Sequence, residues 1–372
     1  SFKVPEIIVA DAYIYPDTGY VAIDSNAAMR TLTNAAVSAD LVDQYHNIYG
    51  ASIDIKSANY YHGKGDYEYV DKDGTPWPIH FKELKVDTGT TVGFAQVSQE
   101  DFFYLSPFFA YYGNVRMRAD RKELLFRGYT HIEADCDAIS TNWFNFESLI
   151  DPANILIELP EVDSEDKTKL LANGIYLASD TISGYAAFLS QEVRPTDKQM
   201  FFANGVLYYD EAISSYVITE KEKIENPDLP INILRFNNLN CTMEGEGAMS
   251  LGDGKSQLNI NSYGLISYDL NTDKMQLDLT MGMEFFFAKD LLEKFAQIVA
   301  DNADGEGINI GRKAFEIATE YRLEPKDLEK FREEVNAFGA PEKVPDDLRQ
   351  TLLFGELTMN WTPESISFLS EG

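Results

Sequence analysis

Basic residues are what this chain most conspicuously lacks. Its 372 residues carry 31 Lys and Arg against 61 Asp and Glu, a formal net charge of −30. A nucleic-acid binder needs a basic footprint to neutralise phosphates, so the composition argues against that class. Adhesion to an anionic membrane surface is disfavoured for the same reason. The acidity fits plain solubility, or a divalent cation or cationic partner. Cysteine is scarce, at Cys136 and Cys241 only, and spacing leaves two readings open: one disulfide, or two buried thiols. There is no CxxC. The histidines, His46, His62, His80 and His131, show neither the i, i+4 nor the HxH spacing of a zinc site. No apolar run reaches the ~18–20 residues of a membrane-spanning helix, so no transmembrane segment is expected. GxSxG, P-loop and strand-to-helix GxGxxG motifs are missing too. The reading is therefore of a protein with no catalytic, metal or cofactor residues to nominate, and with no nucleic-acid partner.

What is present is alternation. Hydrophobic residues make up 44% of the chain, ample for a core, and aromatics 13%, with 23 Phe and 21 Tyr, which strands favour. Val115, Met117 and Ala119 alternate with Asn114, Arg116 and Arg118. The charges Asp120-Arg121-Lys122-Glu123 interrupt, and Leu124, Phe126, Gly128, Thr130, Ile132 and Ala134 then alternate with Arg127, Tyr129, His131, Glu133 and Asp135. Period-2 alternation on both sides of a polar break is a β-hairpin with one buried face. The stretch Val193–Asp210 has a related plan, with Asp197-Lys198-Gln199 at the break, Met200-Phe201-Phe202 after it and Gly205 standing for Gly128, and reads as an internal repeat.

Taken in order, residues 1–135 read as β-hairpin repeats. Ile7–Ile14 is a strand returning through Val21 and Ile23 after a Pro16–Gly19 turn, and 26–40 reads equally as a short helix or a strand end. Asp71-Lys72-Asp73-Gly74 closes a hairpin. Gly63-Lys64-Gly65 marks a bend, and a parity slip between Phe81 and Leu84 predicts a β-bulge at Lys82-Glu83. Phe102–Tyr112, split by Pro107, reads as two short segments buried on both sides. Residues 136–173 read as an irregular connection with a charged turn of helix at 163–169, 174–218 as further hairpins, and 219–230 as a charged, Pro-bounded linker and candidate boundary. Residues 231–287 form a β-meander ending in a strand of ~12 residues, Met275 to Phe285. Residues 288–350 switch to helical spacing, a three-helix insertion or cap whose third member starts at Pro325, and 351–372 close as a terminal β-hairpin. The fold expected is mostly β: an elongated antiparallel β-hairpin array, jelly-roll or solenoid-like, with a small helical insertion near the C-terminus. The chain opens and closes in mid-pattern, which suggests a piece of a longer, processed protein.

Carboxylate pairs deserve testing because a glycosidase needs two. Glu244 and Glu246 share a strand face, Asp135 and Asp137 flank Cys136, and Asp71, Asp73 and Asp87 fall in one hairpin region. Among 61 acidic residues such coincidences are expected, and all read as wet-face residues. Asp269-Leu270-Asn271-Thr272-Asp273 opens like a calcium loop but places Lys274 where Gly belongs and Thr280 where Glu belongs, so it reads as a turn. Gly245-Glu246-Gly247 and Gly252-Asp253-Gly254 read as strand-breaking glycines. Tyr60, Tyr61, Tyr67, Tyr69 and Trp77 are either a sugar-stacking platform or cross-strand packing.

The grammar of strand, turn, Phe-x-Gly strand and Asp resembles the repeats of the lipopolysaccharide-transport periplasmic β-jelly-roll family, the organic-solvent-tolerance domain, over residues 7–135 and 174–287. His46–Ile55, Gly65–Asp71 and Tyr268–Asp273 with Phe285-Phe286-Phe287 resemble segments of large repeat-rich envelope proteins of Gram-negative bacteria. The resemblance implies an extracytoplasmic protein, periplasmic or outer-membrane-associated, whose partners are other envelope proteins or amphipathic lipid. The helical insertion departs from the transport family. The function expected is a non-enzymatic structural or interaction module. The alternatives are a lipid or lipopolysaccharide conduit lined by Met275 to Phe285, and a carbohydrate-binding or carbohydrate-active protein.

Overall fold

The structure is a computed structural model. It describes residues 1–139, 142–160, 171–181, 183–251, 258–285, 325–338, 351–362 and 365–370, with positions 290, 291, 294, 297 and 298. It is mostly antiparallel β, as the alternation requires. Two compact units divide the chain: residues 1–134 with 141–169, and residues 135–140 with 170–372.

The first unit opens with short strands, β1 (Phe2–Lys3), β2 (Ile7–Val9), β3 (Ala12–Tyr15) and β4 (Tyr20–Val21). The expected single strand Ile7–Ile14 is instead a tight hairpin. Ala10 adopts a positive φ, Val9 pairs with Ala12, and Val21 returns to pair with Phe2. Strands β5 (Leu32–Ala39), β6 (His46–Ser57), β7 (Tyr60–Val70), β8 (Pro76–Asp87) and β9 (Thr90–Val97) follow as neighbours, so 26–40 resolves in favour of a strand. The predicted bulge is present: Phe81 pairs with Ala95 and Glu83 with Phe94, leaving Lys82 as the extra residue. Then come β10 (Phe103–Ser106), β11 (Phe109–Arg118), β12 (Leu124–Ile132) and β13 (Phe144–Ile150). The β11–β12 hairpin matches the sequence reading, with Val115 opposite Phe126. β13 corrects the expectation of an irregular stretch from 136. Phe144, Phe146, Ser148 and Ile150 are buried at alternate positions, paired with β12. The short β14 (Ile157–Glu158) lies beside β13, with the Glu158 N–H donating to Ser148 Oγ at 2.7 Å.

This sheet curls. In it β6 and β11 are separated by β7, β8 and β9, which at about 4.8 Å per strand would put them roughly 19 Å apart if flat. Yet His46 Nε2 on β6 lies 3.1 Å from the Arg118 carbonyl oxygen and 2.7 Å from that of Arg121. The result is a half-barrel whose concave side is filled with rings. Phe126 packs edge-on to Tyr111 at 4.9 Å and to Tyr69 at 5.9 Å, and Tyr69 meets Phe103 at 5.6 Å. Buried hydroxyls find partners: Tyr69 Oη donates to the Leu105 carbonyl at 2.9 Å and Tyr61 Oη to Thr91 Oγ1 at 3.1 Å. Each such ring contributes about 1.5–3 kcal/mol by leaving water.

The second unit is built from two sheets. β15 (Ala172–Leu177), β16 (Gly184–Ser190) and β17 (Lys198–Phe202) form a three-stranded sheet in the order β16-β15-β17. The broad sheet runs in chain order through β18 (Val206–Asp210), β19 (Ser215–Thr219), β20 (Ile233–Asn237), β21 (Thr242–Ser250), β22 (Leu258–Asp269), β23 (Lys274–Phe285), β24 (Thr351–Thr362) and β25 (Ser365–Ser370). The two sheets face each other. Phe188 packs on Phe236 at 5.3 Å, and Tyr268 Oη donates to the Gly184 carbonyl at 2.9 Å. Phe201 covers Gly245 so closely that a Cβ there would sit 2.5 Å from Phe201 Cε1. Gly245 and Gly247 therefore do not break their strand: β21 runs through both, and the glycines make room for Phe201 and for the Asn232 side chain. Cys136 and Cys241 form a disulfide.

The apparent repeat does not survive. Leu124–Ile132 is one strand paired with β11, whereas Met200–Asp210 is two strands in different sheets, β17 with β15 and β18 with β19. Gly205, at φ +113°, makes the crossing that Gly128 does not. Segment 219–230 holds a short helix, Lys221–Glu225, and joins the neighbouring strands β19 and β20. In the 288–350 region the helix Pro325–Phe338 is present and positions 290, 291, 294, 297 and 298 are helical. The middle helix expected there lies outside the described residues, as do the charged run 163–169 and Gly252–Gly254.

Candidate functional site

Several of the carboxylates singled out from the sequence are put to structural use. Glu246 pairs with Arg235 at 3.5 Å and with the buried Lys223 at 3.9 Å, and Arg235 stands opposite Glu244 in register. Asp71 Oδ1 accepts the N–H groups of Asp73 at 3.0 Å and Thr75 at 2.8 Å, and its Oδ2 faces Trp77 Nε1 at 3.3 Å. Asp87 ends the same 12-residue strand whose start Asp71 fixes, roughly 35 Å away at about 3.3 Å per residue, so these acids do not meet. Asp135 and Asp137 are exposed beside the disulfide. Asp269 Oδ1 accepts the Asn271 and Thr272 N–H groups, which makes the calcium-like stretch a turn.

The histidines are dispersed. His62 meets Asp54 at 3.3 Å, His80 meets Asp66 at 2.6 Å, and His131 lies 3.7 Å from Glu133. His46 is buried, and its pKa falls because burial disfavours the imidazolium. Among the described residues no three His, Cys, Asp or Glu side chains gather in a metal-like group.

The aromatic platform read from the sequence is largely interior. Tyr61, Tyr67 and Tyr69 are buried in the half-barrel, with burial pushing the Tyr67 hydroxyl up to about 12, and only Tyr60 and Trp77 keep substantial exposure. A different set of rings occupies the outer face. Tyr104 stands 5.7 Å from Phe102, and Phe102 stands 5.9 Å from Trp143. Trp77 lies opposite Tyr69 and so belongs to the inner face, where it meets Phe103 at 6.4 Å at the rim near Tyr104. Trp143 lies 4.8 Å from Tyr112, which stacks on Tyr129 at 5.0 Å and 17°. The register explains the line. Tyr104 pairs with Ala110 and Tyr112 with Tyr129, so rings on β10, β11 and β12 share the convex side while Phe103, Tyr111 and Phe126 point inward. Phe102 is 40% exposed, and Tyr104, Tyr112, Tyr129 and Trp143 are half-buried.

Polar groups border the line. His131 packs edge-on to Trp143 at 4.3 Å, and its Nδ1 lies 2.9 Å from the Ile132 carbonyl oxygen. The Tyr104 hydroxyl is raised in pKa first by burial and then by Glu133, whose carboxylate accepts its hydrogen bond. Sequence reading missed this strip because Phe102–Tyr112 looked buried on both faces. Carrying the parity of Val115 and Met117 back through Tyr112 and Ala110 would have put Tyr112 outside.

The second unit has a cleft of about 710 Å³, lined among others by Met200, Phe202, Ile231, Asn232 and Met249. Asn232 anchors its floor. Its Oδ1 accepts the Ala248 N–H at 2.8 Å and its Nδ2 donates to the Phe202 carbonyl at 2.8 Å. Of the row Met275 to Phe285 expected to line a lipid path, Met275, Leu277, Leu279 and Met281 are buried in the core, and the side chains of Met283 and Phe285 lie outside the described residues.

No family model matches this chain, and no curated protein or solved structure matches it.

Proposed function

We propose that the chain is a non-enzymatic interaction module of the bacterial cell envelope. The observation that carries the reading is the aromatic strip on the convex face of the half-barrel. Half-exposed rings held edge-to-face on a regular sheet form a preorganised contact surface, and aromatic residues supply much contact area for little entropy cost. The Cys136–Cys241 disulfide supports an oxidising, extracytoplasmic compartment. The test is co-sedimentation of the pure protein with isolated envelope material, alongside Trp143→Ala. Retention of the wild type and loss of the variant is expected. A reproducible hydrolytic or transferase activity in the pure protein, or equal retention of both proteins, would overturn the reading.

A second reading, an amphipathic-lipid site, rests on the cleft beside Met200, Phe202 and Met249. Phe202 is 52% exposed at its edge. Phe202→Asp should then weaken uptake of a fluorescent fatty acid, and uptake unchanged by the variant counts against a lipid in this cleft.

A further inference from the structure

We infer that the aromatic strip binds a neutral polysaccharide, with successive pyranose rings lying along Tyr104, Phe102, Trp143, Tyr112 and Tyr129. The inference rests on the module reading and names its partner's chemistry. Three observations carry it.

The first is spacing. Successive ring centroids from Tyr104 to Tyr129 are 5.7, 5.9, 4.8 and 5.0 Å apart, the first three contacts edge-on and the last stacked, a continuous run of aromatic contact points that an extended chain of linked sugar rings can follow. The second is charge, which disfavours an anionic ligand. The chain carries a net charge of −30, and Glu133 stands at the edge of the strip, so an anionic polymer is repelled. The faces of the rings are electron-rich, and they attract the electropositive C–H groups of a pyranose without asking for a formal charge. The third is the polar border. The Glu133 carboxylate already accepts the Tyr104 hydroxyl and lies 3.7 Å from His131 Nε2, so acceptors and donors for sugar hydroxyls stand beside the stacking surface. The rings pack on one another, with Trp143 touching Phe102, Tyr112 and His131, so little side-chain freedom remains to be lost on binding.

The experiment titrates the whole chain with cellohexaose, laminarihexaose and chitohexaose as neutral probes. Tryptophan emission and calorimetry are the readouts. One of the 3 tryptophans, Trp143, lies on the strip, so binding shifts the emission directly. At least one hexasaccharide should bind. Trp143→Ala should weaken it about tenfold, the loss of one good ring contact. Phe102→Ala, at a more exposed ring and so safer for folding, should weaken it severalfold. Tyr60→Ala, at an exposed tyrosine off the strip, should leave it unchanged. Affinity should hardly respond to salt, since the ligand is uncharged.

If no hexasaccharide binds, or if binding ignores both strip variants, the inference is overturned. Envelope co-sedimentation separates that failure from failure of the module reading. Retention that Trp143→Ala abolishes but that glycosidase treatment of the envelope leaves intact sinks the glycan and keeps the module. Retention insensitive to Trp143 sinks both.

Discussion

The first unit closes its core by curling one sheet until distant strands of that sheet face each other, whereas the second lays a separate three-stranded sheet over a broad one. Both start from the same period-2 alternation. Alternation decides which side chains point inward, and it is silent on what they will meet there. In the first unit the meeting is arranged by a bulge at Lys82 and by His46 reaching the far strands. In the second it is arranged by the crossing at Gly205 and by glycines under Phe201 and Asn232, with a disulfide adding a covalent link. The difference predicts that the two cores fail under different insults.

The largest effect should come from Phe126→Ala. Phe126 touches Tyr69, Phe103 and Tyr111 at the centre of the half-barrel, and emptying such a site costs about 3–5 kcal/mol. Denaturant unfolding in a Trp361→Phe background follows Trp77 and Trp143, and its midpoint should fall. In a Trp77→Phe, Trp143→Phe background the signal is Trp361, buried in the second unit, and its midpoint should move far less. Equal shifts in both backgrounds would break the description of two cores.

The disulfide should give the next effect, with the units reversed. It joins residues 105 apart, and removing a link of that span from a protein's native state typically costs about 2–5 kcal/mol. Cys136→Ala combined with Cys241→Ala should lower the Trp361 midpoint while the first unit, which has no cysteine, keeps its own. A drop confined to the Trp77 and Trp143 signal would contradict the assignment of both cysteines to the second unit.

How far the sequence carried these features follows from their physics. The β11–β12 hairpin, the bulge at Lys82 and the helix from Pro325 were legible because parity, turn chemistry and periodicity are local. The curl was not, because it depends on His46 meeting carbonyls 72 and 75 residues away. The repeat misled because Met200-Phe201-Phe202 and Leu124-Leu125-Phe126 have the same local pattern, while the fate of the chain afterwards turns on the backbone at Gly205 and Gly128. Tyr61 and Tyr69 looked like a platform because a tyrosine on an alternating strand reads alike on either face, and only closure of the sheet makes that face interior. The strip around Trp143 was hidden for the converse reason. It draws on β10, β11, β12 and the residues before β10 and β13, which no single window contains.

The smallest effect sharpens the comparison most, because it separates the units by pH. In the first unit burial holds the His46 pKa below its ordinary value of 6.5. The unfolded chain therefore takes up this proton first as pH falls. The contribution is intact above pH 6.5 and declines as pH drops from there through the folded pKa, with a slope of at most about 1.4 kcal/mol per pH unit. In the second unit Asp197 is held at about 2. The Ser179 N–H at 3.0 Å comes first among the causes, followed by the Tyr185 hydroxyl at 2.7 Å and Arg194 at 3.2 Å. Its contribution is present above its ordinary 3.8 and is lost only as pH falls from there towards about 2. Other carboxylates with lowered pKa, such as Asp120 and Asp151 in the first unit and Asp180 in the second, add to the strongly acid limb of both, so subtraction is needed. Melting temperatures recorded against pH should show that His46→Gln flattens the mildly acid slope of the Trp77 and Trp143 signal alone. Asp197→Asn should flatten the strongly acid slope of the Trp361 signal alone. If His46→Gln leaves the mildly acid slope in place, burial of a neutral imidazole is not what makes the half-barrel sensitive to acid, and the curl must be held by the rings without it.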